Sequence, residues 1–239
     1  MMKKISFLAL GFFALLTATA QKKNMRENMR KRAADHVMLQ LSSDTWLNMP
    51  DSIKRYKSGL SRGFNAAFMI NRPFKSDPRF SLAFGLGVSN SNIFFQKLDV
   101  QLNSLQTVLP FNRLDSSAYF KKYKVSSTFL EVPLEFRFSL RPHDEKKSFK
   151  VALGLKIGTL LGAHTKGKTL LDKSGKTLNS YTEKIYKRTF FSPTRVAATL
   201  RIGYGNFSVF GAYQLTNLFK DGAAAPMQPL QTGICISGL

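Results

Sequence analysis

The chain has 239 residues and carries 36 Lys and Arg against 14 Asp and Glu, a formal net charge of +22. This excess indicates anionic partners, and the single cysteine, Cys235, excludes an internal disulfide framework. The length fits one domain, or at most two, and no apolar run beyond the N-terminus approaches the ~20 residues of a membrane-spanning helix.

The N-terminus predicts a secretory signal peptide at residues 1–20. Two lysines at residues 3 and 4 precede an apolar run over residues 5–18, which ends on a small-x-small cleavage site at residues 18–20. Residues 21–35 are polar and basic, which indicates a periplasmic tail. Because an exported chain meets little nucleic acid, we expect envelope partners instead, namely membrane lipid and the phosphates of lipopolysaccharide.

From residue 36 onward, apolar residues alternate with small or polar ones, as in strands with two unlike faces. In segment 130–140, Val132 and Leu134 lie on one face, and Glu131 and Glu135 on the other. The predicted strands, in chain order, cover about 36–47, 61–71, 80–88, 130–140, 149–158, 195–204, 207–216 and 230–239.

The links between these strands alternate in length. The short ones are 72–79, 141–148 and 204–206, and the long ones are 48–60, 96–126, 166–190 and 217–229. Outer-membrane barrels with a periplasmic N-terminus have short periplasmic turns and long external loops in this order. A soluble sandwich would leave its large apolar face uncovered, whereas lipid covers the apolar face of a barrel and closure removes the sheet edges.

We therefore predict an all-β fold: a closed antiparallel eight-stranded up-and-down transmembrane β-barrel over residues 36–239, integral to the outer membrane. Large aromatic residues near the predicted strand ends suggest interfacial girdles. The expected girdle residues are Phe94, Phe95, Phe190, Phe191 and Phe219 at the outer ends, and Phe149, Tyr204 and Phe207 at the periplasmic ends.

The sequence resembles the PorT-like outer-membrane β-barrel proteins. The segments that carry the resemblance are TFLEVPLEFRF (128–138), KVALGLKIGTLLG (150–162), RIGYGNFSVFGAYQLTNLF (201–219) and LQTGICISGL (230–239). It covers roughly residues 35–239 and implies an architecture rather than an activity. Some relatives are linked to a protein secretion system and to surface motility, a link that belongs to particular members.

Charged residues on the predicted inner face form the first candidate site. Eight strands leave an interior just wide enough for side chains, so these charges must pair with one another. We expect an ion-pair network, with a proton or ion path as the alternative. We take Lys156 as the first partner to test for Glu135, and Arg137 or Arg201 as the next. Its members are Glu131, Glu135, Arg137, Lys156, Arg195 and Arg201.

The third external loop, 166–190, is the second candidate site, because it holds seven basic residues against two acidic ones. We expect it to contact anionic glycolipid or polysaccharide through charge complementarity. The residues concerned are Lys166, Lys168, Lys173, Lys176, Lys184, Lys187 and Arg188.

An enzyme is not predicted. His36 and His143 are expected at the periplasmic end and His164 at the outer end, which excludes a three-histidine metal site. His164, whose parity points to the lumen, is the one candidate for a lipid A-modifying activity. No cofactor is expected. The function hypotheses are a surface interaction module or secretion-associated accessory barrel, a structural lipopolysaccharide-binding barrel and, less favoured, that enzyme.

Overall fold

The computed structural model describes residues 37–142, 144 and 147–238. The predicted signal peptide and basic tail, together with His36 and His143, lie outside the described residues. In chain order the elements are β1 (Val37–Leu47), α1 (Asp51–Lys54), β2 (Arg62–Pro73), β3 (Phe80–Phe95), β4 (Leu98–Val100), β5 (Phe111–Arg113), β6 (Tyr119–Ser139), β7 (Phe149–Leu171), β8 (Thr177–Tyr186), β9 (Thr194–Tyr204), β10 (Phe207–Gln214) and β11 (Gln228–Ser237).

Eight of these strands form the closed antiparallel barrel that the sequence predicts. Each of β1, β2, β3, β6, β7, β9, β10 and β11 pairs with the next in that order. The first and last, β1 and β11, pair over ten residues and close the sheet. Closure leaves these strands without an open edge over most of their length.

The two faces of each strand differ as the alternation indicates. Leu153 of β7 is 63% exposed on the outside, whereas its neighbour Ala152 is 5% exposed and faces the lumen. The same contrast holds between Leu200 and Arg201 of β9. A continuous exposed apolar belt of this size needs a nonpolar surround, because water-soluble monomers rarely expose so large a patch.

The predicted alternation of link lengths is confirmed at the short-turn end. Residues 205 and 206 alone join β9 to β10, and Gly205 takes a positive φ of 58°. Such a conformation matches a two-residue hairpin, whose backbone twist suits the flanking strands. The opposite end, which carries the long links, is called the long-loop end below.

Two of the predicted long loops are largely strand, which corrects the proposed boundaries 96–126 and 166–190. Strand β6 begins at Tyr119, β7 continues to Leu171, and the two stay paired over this whole length. Strand β8 then pairs back onto the upper part of β7, and β4 pairs with β5 within the first of these links. The alternation persists there, but its chemistry is inverted: Tyr123 and Val125 face inward, and Lys124 faces outward.

The four long links pack on one another and on the inner strand faces, and so close the long-loop end. At the centre, the Trp46 ring lies 5.7 Å from the Phe95 ring and 5.6 Å from the Phe219 ring. We call this cluster the cap. Its main buried residues are Trp46, Met49, Ile53, Phe95, Leu98, Val100, Leu102, Leu109, Tyr123, Val125, Phe129, Leu160, Phe190, Phe191, Leu218, Phe219 and Met227.

The cap corrects the expectation of an aromatic girdle at the outer ends. Four of the five expected residues, Phe95, Phe190, Phe191 and Phe219, are buried in it. The fifth, Phe94, is half-buried and pairs opposite Lys124. The link segments that carry three of the buried four fold back over the barrel mouth, where an apolar ring gains more by leaving water than by staying at the surface. At the short-turn end, by contrast, Phe149, Tyr204 and Phe207 are exposed on the outside, as expected of a girdle.

No helix in the described ranges is long and apolar enough to cross a membrane. The short helix α1 contributes Ile53 to the cap.

The outward position of Leu153 gives a first prediction. Leu153→Arg should lower the free energy of unfolding from vesicles by about 2–4 kcal/mol, because it places a cation in lipid near the middle of the apolar belt. Leu153→Ala should cost less. The matched control is Leu178→Arg, at an exposed leucine of β8 beyond the belt, which should fold like the parent. Equal losses at both positions in a urea titration would contradict the assignment.

The cap gives a second prediction, and the protein's single tryptophan reports it. Phe219→Ala should destabilise the cap by about 3–5 kcal/mol, because it leaves a cavity in a packed apolar cluster. The fluorescence of Trp46 should then shift to the red and become accessible to a soluble quencher. Phe207→Ala, which truncates an exposed aromatic ring at the other end, should leave the Trp46 spectrum unchanged. A red shift in both variants would mean that Trp46 does not report on the cap.

Candidate functional site

The lumen holds the first candidate site. Within the described residues, three buried acids and four buried cations point into it: Asp44, Glu131, Glu135, Arg137, Lys156, Arg195 and Arg201. Period-two alternation places six of them on the inner faces of β6, β7 and β9, as predicted from the sequence. We call those six the lumen network.

Glu131 anchors the part of the lumen network nearer the cap. Its carboxylate lies 2.8 Å from Nη1 of Arg195 and 3.8 Å from Nζ of Lys156. The Arg195 guanidinium also lies over the Phe129 ring, 5.3 Å from the ring centroid. Arg195 therefore links the charged lumen to the underside of the cap.

Glu135 anchors the part nearer the short turns. Its Oε2 accepts hydrogen bonds from Nε of Arg137 and Nη2 of Arg201, both at 2.8 Å. The first partner proposed for Glu135, Lys156, lies closer to Glu131 and donates a hydrogen bond of 3.0 Å to Gln40 Oε1. The pairing of Glu135 with Lys156 was wrong because two arginines bind the Glu135 carboxylate instead. They are Arg137, two residues away on the same strand, and Arg201 on β9.

Uncharged side chains tie the charges together. Asn65 donates to Gln40 at 3.1 Å and accepts from Ser89 at 2.7 Å. Ser89 accepts from Arg195 at 3.2 Å, and Gln231 donates to Asp44 at 3.1 Å. Because a buried charge is tolerated only where its polar atoms find partners, these neutral groups on β1, β2, β3 and β11 are as much a part of the site as the ions.

Asp44 is the lumen charge that the sequence reading missed. It accepts hydrogen bonds of 2.5 Å from both Ser42 and Ser91. Gln40, Ser42 and Asp44 fall at every second position of β1, which was the available signal. The weaker apolar alternation of β1 hid it.

Glycines make room for the network. An ideal Cβ on Gly158 would lie 2.9 Å from Cγ of Glu131, and one on Gly154 would lie 2.3 Å from the carbonyl oxygen of Leu134. Gly162, which follows at the same four-residue spacing, has nothing within 4 Å of such a Cβ. On β2, a Cβ on Gly63 would lie 2.6 Å from Oδ2 of Asp44, so this glycine also makes room in the lumen.

The lumen is filled rather than open. Towards the short turns, a cavity of about 20 Å³ lies between Asn71, Arg137, Ala152 and Arg201. That volume suits about one water molecule. At the opposite end the cap covers the mouth, so side-chain packing and ion pairs occupy the described part of the lumen.

The basic residues of the second candidate site fall into three places. Lys166 and Lys168 lie on β7 and Lys184 on β8, where they point outward. Lys173 and Lys176 lie at the exposed turn between these strands.

Lys187 and Arg188 follow β8. Arg188 donates to the carbonyl oxygen of Leu161 at 3.3 Å, so it also fastens this segment to β7.

Two further lysines, Lys122 and Lys124 on β6, face the same side as Lys166 and Lys184. They were missed because this stretch was taken for an irregular loop. The regular spacing of Lys122, Tyr123, Lys124 and Val125 was the signal that could have found them.

His164 does not face the lumen, which corrects the prediction from parity. Opposite β6, Thr128 pairs with Gly162 and Phe129 with Leu160, so Leu161 is an extra residue. This bulge exchanges the two faces of β7. The His164 ring consequently packs outside, 5.0 Å from the Tyr186 ring. Among the described residues, no three His, Cys, Asp or Glu side chains are grouped to hold a metal ion.

Most of the chain is similar to known outer-membrane proteins. Residues 19–220 match the family model described as outer membrane protein beta-barrel domain, whereas a search of curated proteins finds no significant match. Two similar solved structures are of Ail, the attachment invasion locus protein of Yersinia pestis, one of them in complex with the heparin analogue sucrose octasulfate. They show 13% and 14% identity and a TM-score of 0.33, and they cover 85% of this chain and 96% of Ail.

The geometry around Glu135 gives a third prediction. Glu135→Gln should lower stability by about 3–5 kcal/mol, because it leaves Arg137 and Arg201 buried without their shared anion. Adding Arg201→Gln should recover part of that loss, whereas adding Lys156→Gln should be closer to additive. Urea titrations of the single and double variants measure both.

The control is Glu183→Gln, the same chemical change at an exposed glutamate of β8, which should be neutral. Recovery with Lys156→Gln and none with Arg201→Gln would contradict the pairing.

Proposed function

Because the chain belongs to the outer membrane protein beta-barrel domain family, we propose that it is a non-enzymatic outer-membrane barrel whose long-loop end binds anionic glycolipid or polysaccharide at the cell surface. One observation carries the proposal: the outward face of β6, β7 and β8 beyond the apolar belt presents lysines from three neighbouring strands. Such a face attracts anions and repels cations.

The proposal places the N-terminus in the periplasm and the long-loop end outside the cell. Outer-membrane barrels have their short turns on the periplasmic side, and the turns between β2 and β3, β6 and β7, and β9 and β10 are the short ones here. It also includes removal of residues 1–20 during export, with residues 21–35 left as a periplasmic tail. N-terminal sequencing of the mature protein, expected to begin at Gln21, tests the removal.

A binding role is favoured over a transport role by the filled lumen. Ion pairs within 2.8 Å bridge β6 to β9 at two levels, and the cap lies above them. An interior of eight strands has little space beyond its side chains. The polar interior is thus best understood as the stabilising centre of a barrel that acts through its outer surface.

A non-enzymatic role is favoured by the surroundings of His164. Its ring packs on Tyr186, and the charged groups that act on it are Lys124, Lys166 and Lys184. Ser126 lies opposite His164 on β6, but its hydroxyl accepts a hydrogen bond from Asn90. Within the described residues, none of the charged groups that act on His164 is an acid that could orient it as a general base. Three cations instead suit His164 to a binding surface.

A second candidate, an accessory barrel of a secretion machine, follows the resemblance to PorT-like proteins. Its structural support is the link between β4 and β5, where Leu105 and Val108 are exposed. Apolar side chains at the tip of a loop that is otherwise fastened to the cap suit contact with a protein partner. Cross-linking from position 105 in whole cells, followed by purification under denaturing conditions, tests it: capture of a secretion component supports this role.

Charge-based binding gives a fourth prediction. Purified barrel should bind phosphorylated glycolipid or sulfated polysaccharide more tightly than the neutral counterparts, and raising salt from about 0.05 to about 0.5 M should weaken binding by about tenfold or more, because exposed charges are screened. Surface plasmon resonance with detergent-solubilised barrel measures it.

The variant for this test replaces by Gln the outward and turn lysines of β7, β8 and the turn between them, and keeps Arg188, which fastens the chain to β7. These are Lys166, Lys168, Lys173, Lys176 and Lys184. It should weaken the salt dependence without lowering thermal stability. Equal binding of charged and neutral ligands at all salt concentrations would overturn the proposed function.

A further inference from the structure

The strand register aligns three lysines in one row. Lys124 of β6 is the partner of Lys166 of β7, and Lys166 is the partner of Lys184 of β8. We call these three the lysine row. One step further from the apolar belt, Lys122 is the partner of Lys168. Directly opposed residues in an antiparallel sheet have Cβ atoms about 5 Å apart, and like charges in that position destabilise the sheet.

Nothing in the described part of the chain neutralises the row. None of its lysines takes part in an ion pair, and Lys124 donates one hydrogen bond of 2.6 Å, to the neutral Asn92. The only nearby carboxylate on β8, Glu183, pairs opposite Gly167 and so belongs to the other face. Burial lowers the pKa of Lys124 at this position beyond the belt, and the charges of Lys166 and Lys184 lower it further. The sheet thus carries an unbalanced repulsion.

The height of the row relative to the apolar belt identifies the ligand. The last outward apolar residue of β7 is Leu161, and Tyr186 and His164 lie next to one another just beyond it. Exposed tyrosine is typical of the membrane interface. Lys166 lies five residues past Leu161, which places it roughly 10–15 Å higher for a strand tilted by 35–45°. That layer contains the headgroups of the outer leaflet.

The direction in which the lysines point indicates which kind of anionic ligand they bind. Its lysines extend from the same outer wall of the barrel as Leu155 and Leu161, so they face a lipid standing beside the barrel. The exposed turn lysines Lys173 and Lys176, by contrast, lie farthest from the membrane, where a free polysaccharide would arrive. The row spans three strands, or about 10 Å, enough for more than one phosphate group.

We infer that the lysine row is a phosphate-binding site for the headgroup of an outer-leaflet glycolipid, with Lys122 and Lys168 as flanking donors and Tyr186 against the sugar. The bound phosphates supply the anion that the sheet lacks, and so convert the repulsion between the opposed lysines into attraction. This inference rests on the proposed function, which it narrows to one ligand group and one face.

The test compares two charge-matched variants of the full mature barrel. The row variant carries Lys124→Gln, Lys166→Gln and Lys184→Gln. The turn variant carries Lys173→Gln and Lys176→Gln at the turn and, to match the charge, Lys54→Gln at an exposed position of α1. Each is reconstituted in phosphatidylcholine nanodiscs containing either bisphosphorylated lipid A or its dephosphorylated form. Native mass spectrometry gives the fraction of barrel that retains the glycolipid, and thermal unfolding gives stability.

The row variant should retain bisphosphorylated lipid A at least tenfold less than the parent, and the turn variant less than twofold. In nanodiscs with dephosphorylated lipid A, the row variant should melt at the same temperature as the parent or higher, because removal of the lysines relieves repulsion. Weaker retention of the glycolipid without a loss of thermal stability would not follow if the three lysines had a merely structural role. A variant with Arg at all three positions should bind like the parent.

Other results have distinct meanings. Equal losses in the row and turn variants would overturn the lysine row as a site while leaving charge-based binding in place. A row variant that loses soluble heparin but keeps lipid A would also overturn it, in favour of a polysaccharide. The proposed function fails as well if the parent shows neither of two preferences. The first is for phosphorylated over dephosphorylated lipid A, and the second is for soluble heparin over a neutral glycan.

Discussion

Closure of the sheet through β1 and β11 is the constraint on which the rest of the molecule depends. It satisfies the backbone of the spanning strands without an edge, as hydrocarbon surroundings require, but it also encloses a lumen with room only for side chains. Every charge on an inner face must then find a partner inside. The contacts of Glu131 with Arg195 and of Glu135 with Arg201 meet that demand across strands, and Gly154 and Gly158 provide the space.

Strand β6 passes through two surroundings and changes its chemistry between them. In the belt, Leu134 faces outward and Glu135 inward, because lipid lies outside and a polar lumen inside. Above the belt the assignment reverses: Val125 packs into the cap and Lys124 faces outward. The barrel is therefore continuous with a small domain whose core resembles that of a water-soluble protein. This domain holds the loops in fixed positions, so a binding surface built on them is already ordered.

The sequence was sufficient to predict the barrel, its eight strands and the six lumen charges on β6, β7 and β9, because alternation with period two indicates the face of a residue wherever one side is apolar. It missed Asp44 on β1, where that alternation is weaker. The prediction failed where the polarity of the two strand faces reverses above the belt. Tyr123 and Lys124 were assigned to a loop because outward positions were expected to be apolar. Phe95 and Phe219 are buried because several long links pack together over the barrel mouth, and such contacts between distant segments cannot be predicted from a local sequence pattern. The assignment of Glu135 to Lys156 failed for a related reason, because distances across a lumen depend on strand stagger.

The bulge at Leu161 determines which face of β7 every later residue lies on. Successive side chains of a strand point alternately inward and outward, so one extra residue exchanges the two faces for the rest of the strand. Without it, His164, Lys166 and Lys168 would be directed into the cap, and Thr165 outward. Because of this one extra residue, the outer face of β7 is apolar in the first half of the strand, beside lipid, and polar in the second half, beside water. Insertions and deletions in this strand should therefore be far less tolerated than substitutions, since each would transpose a whole face rather than alter one side chain.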